Sequence, residues 1–254
     1  MMTPTAEYDD NIIRELVSAL SDTARTARAQ KQLLHLVSSG GATTVLGLLL
    51  DRLLGQEGVR GTGARRAVAK LLEEAMSAAG VDGLPALPRL VALSARVLGD
   101  GEATVRDSFA QALASAARSA GSSASGREIL NLLVRPLLKV LDGRQTSVQQ
   151  GGGQALREVV KALQPHQLRP CAPPIIATLR RHLRTGNGTH GGRPALLECA
   201  AALLGSVPET CGEKSAAPVI DDFLSASVQA ATSSDWHERL GSVALLEMLA
   251  KQSL

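Results

Sequence analysis

One pattern returns along this chain at intervals of about 45 residues: an apolar helix, a short break holding a small or charged residue, then a second amphipathic helix opening on a basic or polar residue. The clearest copies are LVALSARVLGDGEATVRDSFAQALASAA from Leu90, LLVRPLLKVLDGRQTSVQQGGGQALREVV from Leu132 and SASVQAATSSDWHERLGSVALLEMLA from Ser225. Aligned on the break, they put Arg106, Gln149 and Arg239 in one slot. Weaker copies put Arg28, Arg60 and Arg193 there, at successive intervals of 32, 46, 43, 44 and 46 residues. The short first interval predicts a degenerate capping repeat. A helix pair recurring every 40 to 47 residues or so is the mark of HEAT and armadillo arrays. The expected fold is all-α, a right-handed superhelix of about six such pairs, which acts by displaying an extended surface.

Composition fits an array with no single core. Hydrophobic residues make up 44% of the chain but aromatics only 2%, namely Tyr8, Phe109, Phe223 and Trp236. The buried layer must therefore be Leu, Val and Ala, whose helix-formation costs are small and whose modest volumes let helix axes approach. Cys171, Cys199 and Cys211 are odd in number and lack Cys-x-x-Cys spacing, so neither a disulfide framework nor a zinc site is expected. The acidic start MMTPTAEYDDN is unlike a signal peptide. The longest apolar stretch, Val45 to Leu54, is interrupted by Asp51 and Arg52, so no membrane segment is expected and an intracellular protein is. Asn187-Gly188-Thr189 matches the glycosylation sequon by a pattern short enough to arise by chance.

The whole chain reads as one repeat domain, residues 1–254, with pairs over 9–38, 43–79, 84–119, 128–163, 173–204 and 218–251. Gly40-Gly41 is expected to end the first pair, and GQEGVRGTG is too glycine-rich for helix interior. SAGSSASG forms a polar connector. In the fourth pair, Gly151-Gly152-Gly153 either delays the second helix to about Gln154 or answers close packing against the next repeat. The fifth pair is expected to start after Pro173-Pro174, at Ile175, because proline is tolerated in a first turn. Asp235 or Ser234 should cap the last helix.

Catalysis needs a nucleophile with a base, paired carboxylates or metal ligands at workable spacing, and none stands out. Gly61-Thr62-Gly63 follows no strand, and Gly212-Glu213-Lys214-Ser215 lacks the adjacent Gly-Lys of a phosphate loop. His182, His190, Cys199 and Cys211 read as ordinary surface histidines and buried thiols. No enzyme activity, cofactor or metal is expected.

Charge is segregated along the array. Residues 1–134 hold 14 basic and 14 acidic side chains, residues 135–193 hold 10 and 2, and residues 194–254 hold 3 and 8. Such a basic block predicts an acidic partner. Loops at one end of every pair share an edge of the solenoid, so Arg144, Arg180, Arg181, Arg184 and Arg193 are expected to line a binding edge. Trp236, at the start of the last helix, is either a half-exposed anchor or a pin for the last repeat. Asp100 with Arg106, and Asp235 with Arg239, are expected to form a structural ladder bonding into the neighbouring repeat. The scarcity of aromatics argues against single-stranded nucleic acid as the partner.

The order LLVRPLLKVL, SVQQGGGQAL, LRPCAPPIIATL, RPALLECAAALLGSV and SSDWHERLGSVALLEMLA, together with Val105-Arg106-Asp107, resembles the N-terminal helical-repeat domain of the plant Tortifolia/Spiral microtubule-associated proteins and their SINE relatives. The resemblance implies a TOG-like HEAT array that binds tubulin or the microtubule lattice through its intra-repeat loops, placed in the cytoplasm on the microtubule cytoskeleton. Carried over, the loop positions are those around Arg60, Glu102, Arg144, Arg184 to Arg193, and Trp236. The alternatives are a protein adaptor, including an actin- or nuclear-envelope-linked SINE type, and a HEAT scaffold whose groove is lined by second helices. The oligomeric state stays open.

Overall fold

The computed structural model describes residues 10–20, 22, 24–54, 62–120, 126–143, 145–184, 192–204 and 213–252. The elements, in chain order, are α1 (Asp10–Ala19), α2 (Thr26–Leu36), α3 (Ala42–Leu54), α4 (Thr62–Ala79), α5 (Leu87–Val97), α6 (Ala103–Ala120), α7 (Gly126–Ile129), α8 (Arg135–Leu141), α9 (Thr146–Ala162), α10 (Pro165–Arg184), α11 (Arg193–Leu204), α12 (Glu213–Ala231) and α13 (Trp236–Gln252). Helices α4, α6, α9, α11 and α13 pack one on the next to form one layer, while α3, α5, α8, α10 and α12 form the other. Each pair joins one helix from each layer, and α1 with α2 begins the series. The result is the expected all-helical repeat solenoid.

Burial follows the predicted periodicity. One apolar cluster runs from Ile13 to Leu249 and is built of Leu, Val and Ala, with Phe109 and Phe223 as its largest fully buried side chains. On α6, Val105, Phe109, Leu113 and Ala116 are all buried at spacings of four and three, the stripe that a helix turns toward a core.

Several expected boundaries move, each for a local reason. Gly40-Gly41 does not end a helix: the chain passes from α2 through a π turn, Val37–Gly41, into α3 with helical angles on both sides. Ser38 and Ser39 donate to the carbonyls of Leu34 and His35 at 3.0 and 2.8 Å, satisfying acceptors at the turn, while Val37 and Ala42 stay buried. The chain reverses instead after α4, where Gly80 adopts φ +55°, the left-handed conformation that suits glycine just past a helix end.

The fifth pair begins at Pro165 rather than Ile175. Pro165 stands at the first helical position, and the Gln164 amide donates to Gln167 Oε1 at 3.1 Å, half of a capping box. Pro170 and Pro173 lie inside the helix on its exposed side, where carbonyls left without a donor face water. The opposite face, Leu168, Cys171, Ala172, Ile175, Ile176 and Leu179, is buried and holds the helix together. The last pair likewise starts early, at Glu213, with Pro218 in its first turns.

The three glycines of α9 lie within the helix, so close packing is the reading that stands. A Cβ on Gly151 would run into the Leu98 carbonyl at the end of α5, and one on Gly153 would press on Ala195 and Leu196 of α11.

Candidate binding edge

A recurrent hydrogen bond sets the shape of the breaks between the helices of a pair. Arg106 Nη1 donates to the Asp100 carbonyl at 2.6 Å, Gln149 Nε2 to the Gly143 carbonyl at 2.6 Å, and Arg239 Nη1 to the Ser233 carbonyl at 2.8 Å. Each donor reaches back six residues. The three residues aligned from sequence therefore do one job, tying the first turn of a second helix to the break before it. The expected ladder between repeats is corrected in its partner: Arg106 and Arg239 bond to their own break. Arg239 also reaches Ser234, and Asp235 Oδ1 accepts the His237 amide at 2.9 Å, capping α13.

Of the expected ladder residues Asp100 does reach the neighbouring repeat, and the remaining contacts between repeats use other residues. Arg65 of α4 reaches Asp100 at 2.9 Å, and Arg66 reaches Glu102 at 2.7 Å and Thr104 at 3.0 Å. Farther along the same layer Gln154 bonds Asp107, Gln111 bonds Glu158 at 2.9 Å, and Arg157 bonds both Glu158 and Glu198. Burial alone would lower the Arg157 pKa, but Glu198 and Glu158 outweigh it and raise the value. The first two of these contacts join residues 47 apart, so the repeat interval carried a signal for them that the break alignment missed.

The basic block meets the acidic last pair within the same molecule. Arg180 of α10 donates to Asp222 of α12 at 2.5 Å, and Arg184 lies 3.9 Å from the same carboxylate. Arg181 and His182 both reach Asp142, at 2.5 and 3.0 Å, in the break of the preceding pair. Charges separated in sequence thus become complementary neighbours once α10 stacks between α8 and α12. Arg181 and Arg184 keep 56% and 66% of their side-chain surface exposed, whereas Arg180 keeps 34%. Arg193 was expected on the open edge and is instead mostly covered. It donates to Gln229 at 2.7 Å and lies 3.8 Å from Glu238, with 11% of its side chain exposed. Arg144, Arg60, His190 and Cys211 lie outside the described residues.

Trp236 is 57% exposed at the first position of α13, its ring 3.7 Å from that of His237. It does not pin the last repeat. Across the second-helix layer a cleft of about 270 Å³ opens between α9, α11 and the start of α13, lined by Gln150, Gln154, Arg157, Glu198, Asp235 and His237 among others. Cys171 and Cys199 are buried, and burial pushes their thiols up to about 11 and about 12. Among the described residues no His, Cys, Asp and Glu cluster is arranged to hold a metal, and no helix is long and apolar enough to cross a membrane.

Comparison with known proteins agrees with this architecture. A family model described as TORTIFOLIA1 N-terminal matches residues 9–254. No curated protein matches the sequence. Among solved structures, an engineered protein from a structural-genomics consortium is similar with a TM-score of 0.53 at 19% identity, over 94% of this chain and 98% of that one. A designed armadillo repeat protein solved with the peptide (KR)4 gives 0.51 at 16% identity, over 93% and 99%. Another designed armadillo repeat protein gives 0.50 at 16% identity, over 97% and 95%. At such identities the likeness concerns the fold, a solenoid of the HEAT/armadillo kind.

Proposed function

Because the chain belongs to the TORTIFOLIA1 N-terminal family, we propose that it is a non-enzymatic microtubule-associated protein that binds tubulin or the microtubule lattice through the edge of its solenoid. The observation that carries this reading is the exposure of Arg181 and Arg184 at the end of α10, beside the breaks. Their carboxylate partners are held in surface pairs, and exposed pairs contribute at most about 1 kcal/mol each. An acidic partner surface can therefore exchange places with Asp142 and Asp222 at little cost. Exposed Arg135, Lys139 and Arg169 add positive charge to the same stretch of the array. Trp236 supplies an apolar contact at the far end, where more than half of the residue is exposed.

Co-sedimentation with taxol-stabilised microtubules, with and without their acidic tails, tests the reading. Reversing Arg181 and Arg184 together to Glu should weaken binding roughly tenfold, the sum of several weak charge contacts, and the effect should shrink as salt rises. Arg180 stays unchanged in this variant because its bond to Asp222 helps hold α10 to α12. Unaltered pelleting by the folded double variant removes the basic edge from the mechanism.

The cleft between α9, α11 and α13 favours a second reading, an adaptor that holds a partner segment against the second-helix layer. Charge reversal at Glu198 would then abolish partner binding while the edge variant left it intact.

A further inference from the structure

The second-helix layer is not level along its outer face. From Ala195 to Leu204, only Ala195, Glu198 and Ala202 of α11 reach the surface, at spacings of three and four, and two of them are alanines. The helices on either side carry longer side chains there: Gln150, Gln154, Arg157 and Lys161 on α9, and His237, Met248 and Lys251 on α13. A short-chained helix between two long-chained ones makes α11 the floor of a groove. The cleft of about 270 Å³ at the start of α13 and a second of about 310 Å³ farther along α11 are its two halves, and Glu198 lines both. A helix pair continuing the array past α13 would stack on the side of α13 away from α11, so the groove does not depend on how the chain continues.

Charge and hydrogen bonding set what the groove can hold. Among the described residues lining the first cleft, Arg157 is the one permanent cation, and Glu158 and Glu198 already hold it. Glu198 uses Oε2 for that bond, and Asp235 uses Oδ1 for the His237 amide at 2.9 Å. Among the described residues, the second oxygen of each carboxylate has no partner. Both side chains are half-buried, so these oxygens attract a cation where water screens less than on open surface. Gln150 is exposed at the rim, and its side-chain amide both donates and accepts, which suits a peptide backbone. At the far end Lys251 is paired with Glu247 at 2.7 Å and Lys161 adds positive charge, so a cation is favoured at one end only. The floor offers a docked helix two alanines and a carboxylate, not the apolar surface that helix-in-groove recognition uses.

We propose, resting on the adaptor reading, that this groove holds an extended segment of a partner protein, with an arginine or lysine side chain of that segment seated between Glu198 and Asp235. The 12 residues of α11 give about 18 Å of floor, the length of about five extended residues. The stem of the cationic side chain lies on Pro194 and Ala195 while its head meets both carboxylates, the division such side chains make between apolar and polar surroundings. One charge between two carboxylates, with a few backbone bonds, places the dissociation constant of a short peptide on the order of 1 mM.

Methyl NMR on the full chain with labelled alanine tests this. The probes are an alanine-based hexapeptide with one central arginine and its glutamine and glutamate counterparts, each titrated to about 5 mM. The arginine peptide should give saturable shifts at Ala195, Ala202 and Ala244, and the other two should bind at least about fivefold more weakly. Glu198→Gln combined with Asp235→Asn should remove that preference and leave helical content and melting largely unchanged, because glutamine still accepts from Arg157 and asparagine still caps α13. Glu74→Gln, on α4 and outside the groove, should change nothing. Equal or larger shifts with the glutamine or glutamate peptide overturn the seated cation and leave the adaptor reading standing, as does an arginine preference that survives the double variant. No shift at these methyls with any of the three peptides overturns the groove as a binding site, and the adaptor reading with it.

Discussion

Replacing Gly151 by Ala isolates the close approach between the third and fourth pairs. Elsewhere in a helix the change gains about 1 kcal/mol, because Ala loses less backbone freedom than Gly. Here the new Cβ would lie 2.9 Å from both the carbonyl carbon and the Cβ of Leu98, with the carbonyl oxygen nearer still. The obstacle is backbone at the end of α5, which can yield only by moving a whole helix. Overpacking of that kind costs about 1–3 kcal/mol and sometimes more, and a rigid carbonyl belongs at the upper end. The net expectation is a loss of about 2 kcal/mol, or roughly 4–8 °C in Tm for a chain of this size. Gly152→Ala is the internal control, since its neighbours are the ends of Val140 and Leu141 at 3.1 and 3.3 Å, which can shift. Gly63→Ala meets nothing within 4 Å and should be neutral or stabilising. Thermal and urea unfolding followed by circular dichroism compare the three. If Gly151→Ala melts at or above the wild type, the packing account of the glycine run is wrong.

Three further outcomes follow from the edge and the core. Arg106→Met should lose about 1–2 kcal/mol in urea titration, the worth of a charge-assisted bond to a carbonyl, while an unchanged midpoint would deny the tie a structural role. Asp222→Asn should free Arg180 and Arg184 and lower stability by no more than about 1 kcal/mol, since the pairs are partly exposed, yet raise microtubule pelleting severalfold; reduced pelleting would count against the proposed edge. Cys171 and Cys199 should resist alkylation until the chain unfolds. Because burial raises both thiols above the ordinary value of 9.0, the unfolded chain binds fewer protons than the folded one in that range, so stability should decline as pH rises through 9 toward about 12; a flat alkaline profile would contradict their burial.

The slot shared by Arg106, Gln149 and Arg239 shows how far sequence reaches in a repeat protein. Helix periodicity and the 45-residue interval are local properties, written into each pair by which side chains must leave water. They were sufficient for an all-helical array, its Leu, Val and Ala core, and the donors that shape its breaks. Gly40-Gly41, the glycines of α9 and the prolines of α10 carry local preferences against helix. Burial of a continuous apolar face overrides those preferences, and that burial exists only when neighbours are in place. Charge shows the same division. Counting side chains along the chain finds a basic block and an acidic end, but a count has no distances. Stacking α10 against α12 brings Arg180 within 2.5 Å of Asp222, turns much of the segregation into internal complementarity and covers Arg193. Coulomb energy and desolvation depend on separation and burial, which sequence order does not contain. Sequence alone therefore determined the repeating unit and its periodicity. Tertiary stacking decided which charges are already neutralised and which remain exposed.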